Sequence, residues 1–182
     1  MAGLKEVRNR IASVGSTRQI TQAMKLVSAA KLRRAQDAVT RMRPYAEKLQ
    51  EILVNVSASL EASENPYAEE REAKRVLLVA VTSNRGLCGP FNNNIIKLAN
   101  QRIEELSGSE VSVLCLGKKA NDAFRRTGCV TKLDLGETPH SIFDNLDFAH
   151  AAIIAEQVMT AFRERKFDRV EILYNRFVNA AV

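Results

Sequence analysis

The chain has 182 residues, of which 46% are hydrophobic, and a formal net charge of +6 at pH 7. This composition excludes a disordered or fibrous protein and fits one full domain with an appendage. No apolar run approaches the roughly 20 residues needed to cross a bilayer, and the N-terminal residues lack the apolar core of a secretory signal. We therefore expect a cytosolic or peripheral protein.

The first 60 residues are predicted to form one long helix. Residues 4–60 contain one glycine, Gly15, and one proline, Pro44, among many helix-forming residues. At about 1.5 Å per residue the helix would span roughly 85 Å. Pro44 lacks an amide hydrogen and costs roughly 3 kcal/mol inside a helix, so it marks either a kink or the start of a second helix. The apolar spacing continues through Pro44, which favours the kink.

Two stripes of apolar residues on this helix have the alternating three- and four-residue steps of a coiled coil. They consist of Leu4, Val7, Ile11 and Val14, and of Ala35, Val39, Met42, Ala46, Leu49, Leu53, Val56 and Leu60. Between the two stripes the same register falls on polar residues, namely Arg18, Thr21, Lys25 and Ser28. The coiled-coil pattern is thus interrupted in the segment that contains Met24 and Lys25.

The positive charge is concentrated in the same helix. Residues 1–43 carry ten basic side chains and two acidic ones. The net charge of this segment, 10 − 2 = +8, exceeds the +6 of the whole chain. This distribution indicates an acidic partner surface for the helix. A nucleic-acid adaptor is an alternative, but the chain has no tryptophan and the basic segment has no aromatic residue before Tyr45 to stack on bases. We therefore predict no nucleic-acid partner.

The remainder of the chain alternates predicted strands and helices. The strands are 75–82, 111–116 and 170–174, with a weaker candidate at 129–133, and the helices are 91–106, 118–127 and 147–165. This alternation predicts an α/β fold with a Rossmann-like three-layer domain and a mainly parallel sheet. We place the helix in residues 1–62, a linker in 63–73 and the α/β domain in 74–182.

The loop after the first strand is a candidate nucleotide site by its position. Its sequence, SNRGLCGPFNNN, occupies the position where α/β folds bind phosphate, but Gly86 and Gly89 do not form a phosphate-binding motif and Pro90 has no amide donor. We predict no cofactor and no small-molecule substrate.

The cysteines and histidines do not form a recognisable metal or thiol-enzyme site. Cys88, Cys115 and Cys129 lie far apart without a CxxC pair, and His140 and His150 are the available imidazoles. Cys88 near a helix start could be a reactive thiolate, but no histidine accompanies it in the sequence. We predict reduced structural thiols and no metal.

Three segments resemble the gamma subunits of F-type ATP synthases. LKEVRNRIASVGSTRQITQAMKLVSAAKLRRAQ, residues 4–36, is similar to the N-terminal helix of that family. TSNRGLCGPFN, residues 82–92, resembles its second motif, with Asn84 where an acidic residue is more usual, and VEILYNRFVNAA resembles the end of its α/β domain.

The resemblance implies a non-catalytic rotor subunit. In the family, the shaft turns inside a ring of alternating alpha and beta subunits, while the α/β domain, with the epsilon subunit, joins the shaft to the membrane ring of c subunits. Carried over by motif, Met24 and Lys25 meet an acidic loop of a beta subunit, and Arg8 and Arg10 lie nearer the tip of the shaft. The residues that resemble the region facing the rotor foot are Gly86, Leu87, Cys88 and Gly89.

The resemblance also implies a peripheral membrane protein on the cytoplasmic face of a bacterial inner membrane, or the equivalent organelle face. The family's C-terminal helix has no counterpart before Val182, so we expect a shortened chain. The residues alone leave two other functions open, a non-catalytic α/β domain with a helical partner-binding arm and the nucleic-acid adaptor.

Overall fold

The computed structural model describes residues 3–59, 65–67, 69, 71–131, 133, 141–144 and 146–179. The chain divides into two units, a helical unit, Met1–Glu61, and an α/β unit, Ala62–Val182. The predicted linker, 63–73, includes residues outside the described ranges, and its boundaries stay a prediction. Leu60 of the second stripe and His140 also lie outside the described residues.

The helical unit is a single helix, α1, Leu4–Ser59. It continues through Pro44, so the alternative of a second helix starting there is wrong. Large apolar side chains on both predicted stripes are exposed, as at Ile11 and Leu53. Because most of a helix's stability in a protein comes from packing an apolar face, these stripes are suited to contact with another surface.

Within the described residues, the α/β unit is built on three parallel strands in the order β2-β1-β3. They are β1, Arg75–Val81, β2, Glu110–Leu116, and β3, Arg169–Leu173. β1 is central, and five consecutive residues, 76–80, are buried. A near-continuous apolar run is typical of a parallel strand with both faces covered, which confirms the predicted α/β class and parallel sheet.

Helices cover both faces of this sheet. They are α2, Phe91–Glu105, α3, Lys118–Phe124, and α4, Phe148–Arg163. Alternate residues of β1 enter two cores, as the two-residue period of a strand requires. Leu78 packs in the core that contains Phe124 of α3, while Leu77 packs in the core that contains Ala161 of α4.

Several element ends match the prediction, and the others differ from it by one to three residues. α3 stops at Phe124 rather than residue 127, because the Thr127 amide and hydroxyl both bond to the Phe124 carbonyl and Gly128 follows at φ +73°. α4 starts after Asp147, whose side chain caps it by accepting from the His150 amide at 2.9 Å. The weak strand at 129–133 is reduced to one parallel bridge, between Val130 and Val113, and Lys132 lies outside the described residues.

An ion pair fastens the start of β1 to the start of β3. Arg75 Nη2 lies 2.8 Å from Asp168 Oδ1, and the Arg75 amide donates to Asp168 Oδ2 at 2.9 Å. Hydrogen bonds from the Arg75 side chain hold the pKa of Asp168 below its usual range, although partial burial opposes this shift. The pair joins residues far apart in sequence and so stabilises the folded sheet.

We expect Asp168→Asn to reduce the acid sensitivity of the α/β unit. A carboxyl whose pKa is lower in the folded state stabilises the fold above its unfolded pKa of about 4, and this contribution is lost as the pH falls through the folded pKa. The variant should have a lower urea midpoint than the wild type at pH 7. The difference between the two midpoints should narrow below about pH 4. Urea titrations from pH 7 to pH 2.5 measure both effects, and a constant gap would contradict the assignment.

Over the described ranges, no helix has both the length and the apolar character that crossing a membrane requires. In the same part of the chain, no three histidine, cysteine, aspartate or glutamate side chains gather as a metal site would need. The three cysteines are free thiols, and burial raises the pKa of Cys115 to about 11.

Candidate functional site

The loop between β1 and α2 is organised around one buried amide side chain. Asn92, in the first turn of α2, is 7% exposed. Its Oδ1 accepts the Ser83 amide at 2.9 Å, and its Nδ2 donates to the Arg85 carbonyl at 3.0 Å and lies 3.1 Å from Cys88 Sγ. The Ser83 hydroxyl also contacts Oδ1, at 3.1 Å. One side chain thus holds three points of the loop.

A second set of contacts joins the same loop to α3. Thr82 Oγ1 accepts the Ala120 amide at 2.9 Å, and Asn84 Oδ1 accepts the Lys118 amide at 2.9 Å. Between them Gly117 has φ +112°, and a Cβ atom there would lie 2.2 Å from the Thr82 carbonyl oxygen. The ends of β1 and β2 therefore approach each other so closely that only glycine fits at position 117.

The tip of this loop, Gly86–Gly89, projects an apolar side chain. Leu87 is fully exposed at φ +58°, a left-handed conformation that costs a non-glycine residue roughly 1–2 kcal/mol. Gly89 has the same φ of +58°, where glycine carries no such cost. Lys119 lies beside the loop, since a Cβ atom on Gly86 would be 3.7 Å from its Cε. The four predicted contact residues thus form one continuous surface.

Amides at both ends of the loop, in Ser83 and at the start of α2, are already used inside the protein. The Ser83 amide donates to Asn92, the Phe91 amide to the Cys88 carbonyl at 3.4 Å, and the Asn94 amide to the Pro90 carbonyl at 2.8 Å. A phosphate-binding loop instead directs successive amides towards the ligand. This geometry suits a shaped contact surface better than a phosphate cradle.

The predicted contact segment of α1 exposes both an apolar and a basic side chain. Met24 is 64% exposed, and Lys25 lies in a shallow groove with Val14, Thr17 and Arg18. Two threonine hydroxyls beside this groove bond to the helix itself, Thr17 Oγ1 to the Ser13 carbonyl at 3.0 Å and Thr21 Oγ1 to the Thr17 carbonyl at 2.9 Å. The interruption of the coiled-coil pattern is an exposed, largely polar surface.

Arg8 and Arg10 are also exposed on α1, but they do not join the Met24 segment. Arg10 Nη2 pairs with Glu6 Oε1 at 3.1 Å, one helical turn earlier. At 1.5 Å per residue, Arg8 and Met24 are about 24 Å apart along the helix. The helical unit therefore presents two separate candidate contacts.

Comparison with known proteins decides which family these features belong to. The family model described as ATP synthase matches residues 3–182. The chain belongs to the ATP synthase gamma-chain family. It is 51% identical over 182 residues to the ATP synthase gamma chain of Flavobacterium psychrophilum, 52% to that of Flavobacterium johnsoniae, and 54% over 187 residues to that of Cytophaga hutchinsonii.

These alignments cover 100% of this chain and 62% of each of the three gamma chains. The resemblance predicted from the sequence motifs is confirmed. The roles of Arg8, Arg10, Met24, Lys25 and the Gly86–Gly89 loop stay predictions.

The sequence motif alone does not reveal the residues that shape the loop. Asn92 is part of that motif, and it also extends the buried stripe of α2, Ile95 and Ala99, by one step of three. That spacing was a usable signal that Asn92 points inwards while Asn93 and Asn94 are exposed. The approach of Gly117 to Thr82 depends on strand pairing, which local spacing does not reveal.

Proposed function

We propose that this chain is a central-stalk subunit of an F-type ATP synthase that couples rotation of the membrane ring to the catalytic sites of the beta subunits. The observation that carries the proposal is the family match over residues 3–182. The exposed apolar stripes of α1 fit a rotor that pairs with another helix inside the alpha and beta ring. The subunit itself performs no catalysis and binds the complex peripherally, on the cytoplasmic face of the bacterial membrane or its organelle equivalent.

The proposed mechanism is the one that the family resemblance implies, and the surface of α1 supports it. Proton flow turns the ring of c subunits, the shaft turns with it, and its asymmetric surface changes the beta sites in sequence. A long apolar contact with the surrounding ring would resist rotation, because each buried CH₂ group contributes about 0.8 kcal/mol. The polar interruption at Thr21 and Lys25 supports a contact that forms and breaks, and Lys25 favours an acidic beta-subunit loop.

Reconstitution tests the proposal directly. The tagged chain is co-expressed with alpha, beta, epsilon and c subunits, and the purified assembly is analysed by mass spectrometry and ATP-driven proton pumping. We expect co-purification with the alpha and beta subunits, and pumping that depends on the chain. Recovery of a different helical partner would favour the partner-binding arm, and retention on DNA that salt abolishes would favour the adaptor.

We expect Met24→Lys to impair coupling more than assembly, because it adds an ammonium group where the rotor faces its ring. Proton pumping per ATP hydrolysed should fall severalfold while the subunit composition is unchanged. Met24→Leu, which keeps an apolar side chain, should couple normally. Gln19→Lys adds the same charge about 140° around the helix and controls for charge alone. Wild-type pumping by the Met24 variant would contradict the contact.

We propose that the Gly86–Gly89 loop contacts the rotor foot. With p-benzoylphenylalanine in place of Leu87, irradiation of the assembled complex should yield products with the epsilon or c subunits. The same probe in place of Leu146, which is 65% exposed outside the loop, serves as the control. A product mainly with the beta subunit would move this loop to the catalytic ring and contradict the foot contact.

A further inference from the structure

Asn92 has both chemical functions that the loop requires. The Ser83 amide needs an acceptor, and the Arg85 carbonyl, which accepts from the Ser83 hydroxyl at 2.7 Å, has room for a second donor. A side-chain amide supplies both the acceptor and that second donor. These two backbone partners also fix which end of the amide is oxygen. A carboxylate in the same place could accept from Ser83 but could not donate to Arg85.

The loop needs such a restraint because its tip is strained. Leu87 adopts a left-handed conformation while its side chain lies in solvent, so packing of that side chain does not offset the strain. Contacts of the Asn92 side chain provide the restraint instead. They link the backbone of Ser83 and Arg85, which precede Leu87 in the chain, to Cys88, which follows it. Without it, the loop would relax to less strained conformations.

We propose that Asn92 is a positioning residue that holds the Gly86–Gly89 loop in the shape its partner recognises. This inference rests on the proposed function, because it takes the loop to be a subunit contact. A preorganised loop binds more tightly, since less conformational entropy is lost when the partner docks. Asn92 acts through Leu87 and does not itself need to touch the partner.

A residue that merely stabilised α2 would behave differently. Asn92 lies on the same buried stripe as Ile95, so its loss could lower the stability of the unit without changing the loop. The two roles are separated by measuring loop order and subunit affinity alongside hydrogen exchange in β1. Asn93, the exposed neighbour of Asn92, provides a matched control.

The test uses the full chain with Asn92→Asp, Asn92→Ala or Asn93→Ala. We expect amide order parameters for residues 86–89 to fall from about 0.85 to below about 0.6 in both Asn92 variants. Hydrogen exchange at the Ser83 amide should stay slow in Asn92→Asp, which keeps the acceptor, and become fast in Asn92→Ala. The Asn93 variant and the β1 amides should match the wild type.

The second arm measures binding of the same variants to a reconstituted complex of alpha, beta, epsilon and c subunits that lacks this chain. Affinity should fall at least tenfold for both Asn92 variants and remain unchanged for Asn93→Ala. Wild-type loop order in Asn92→Ala, or a loosened loop with unchanged affinity, would overturn the proposal while leaving the proposed function intact. A wild-type chain that does not bind the complex would overturn both, whatever the order parameters show.

Discussion

Replacing Gly117 by alanine should destabilise the α/β unit by about 3 kcal/mol or more, a large fraction of a typical domain's stability. The new methyl group would lie 2.2 Å from the Thr82 carbonyl oxygen and 2.7 Å from its carbonyl carbon. Backbone cannot yield as a flexible side chain does. Because φ is +112°, alanine is also strained whatever space is available. Urea unfolding followed by circular dichroism measures the loss.

Alanine substitutions at two other glycines separate the cost of the backbone conformation from the cost of the steric clash. Gly128 has φ +73° but no atom within 4 Å of an added Cβ, so Gly128→Ala isolates the conformational cost, roughly 1 kcal/mol. Gly108 has open space and no left-handed conformation, so Gly108→Ala should be neutral or slightly stabilising, by up to about 1 kcal/mol. A loss at Gly117 no larger than that at Gly128 would show that the β1 and β2 ends can move apart.

Phe124→Ala should cost about 3–5 kcal/mol, the range for removing a fully buried aromatic ring. Phe124 is 1% exposed and packs with residues of the central strand and α2 in the larger core, including Leu78 and Ile95. The cavity would lie beneath α3, whose short length leaves few other contacts to hold it. Calorimetric or urea unfolding measures the effect.

Phe148 provides the matched control, because it is the same residue type at 87% exposure. Phe148→Ala should change the free energy of unfolding by less than about 0.5 kcal/mol. Equal losses at Phe124 and Phe148 would mean that Phe148, in the first turn of α4, is also buried when the chain folds. The assignment of the core would then need revision.

The strands and helices were predictable because burial on both sheet faces leaves a strong local pattern. β1 is a continuous apolar run, and α2 repeats apolar residues every three or four positions. The ends were less predictable, since they depend on single contacts such as the Thr127 hydroxyl on the Phe124 carbonyl. Strand order was not predictable, because β1 pairs with both β2 and the distant β3.

The candidate site was also predictable only in part from the sequence. The exposed Leu87 and Cys88 could be selected from a motif, but their restraint by Asn92 depends on side-chain geometry that the motif does not encode. Similarly, the family resemblance selects Met24 and Lys25, and the interrupted period around them indicates a change of surface but not what covers it. Family membership supplies the candidate partner, while the physical pattern identifies where contact is feasible.

The central position of β1 has a consequence for folding during synthesis. Its apolar residues, 76–80, leave the ribosome before either neighbouring strand exists, and Val76 later pairs with Val111 and Arg169. At 5–20 residues per second, the last strand follows by roughly 5–20 s. A short, uncharged β-forming segment can aggregate during such a delay, and the flanking charge of Arg75 is the kind of residue that limits this. We therefore expect nascent β1 to need chaperone protection until its neighbouring strands are made.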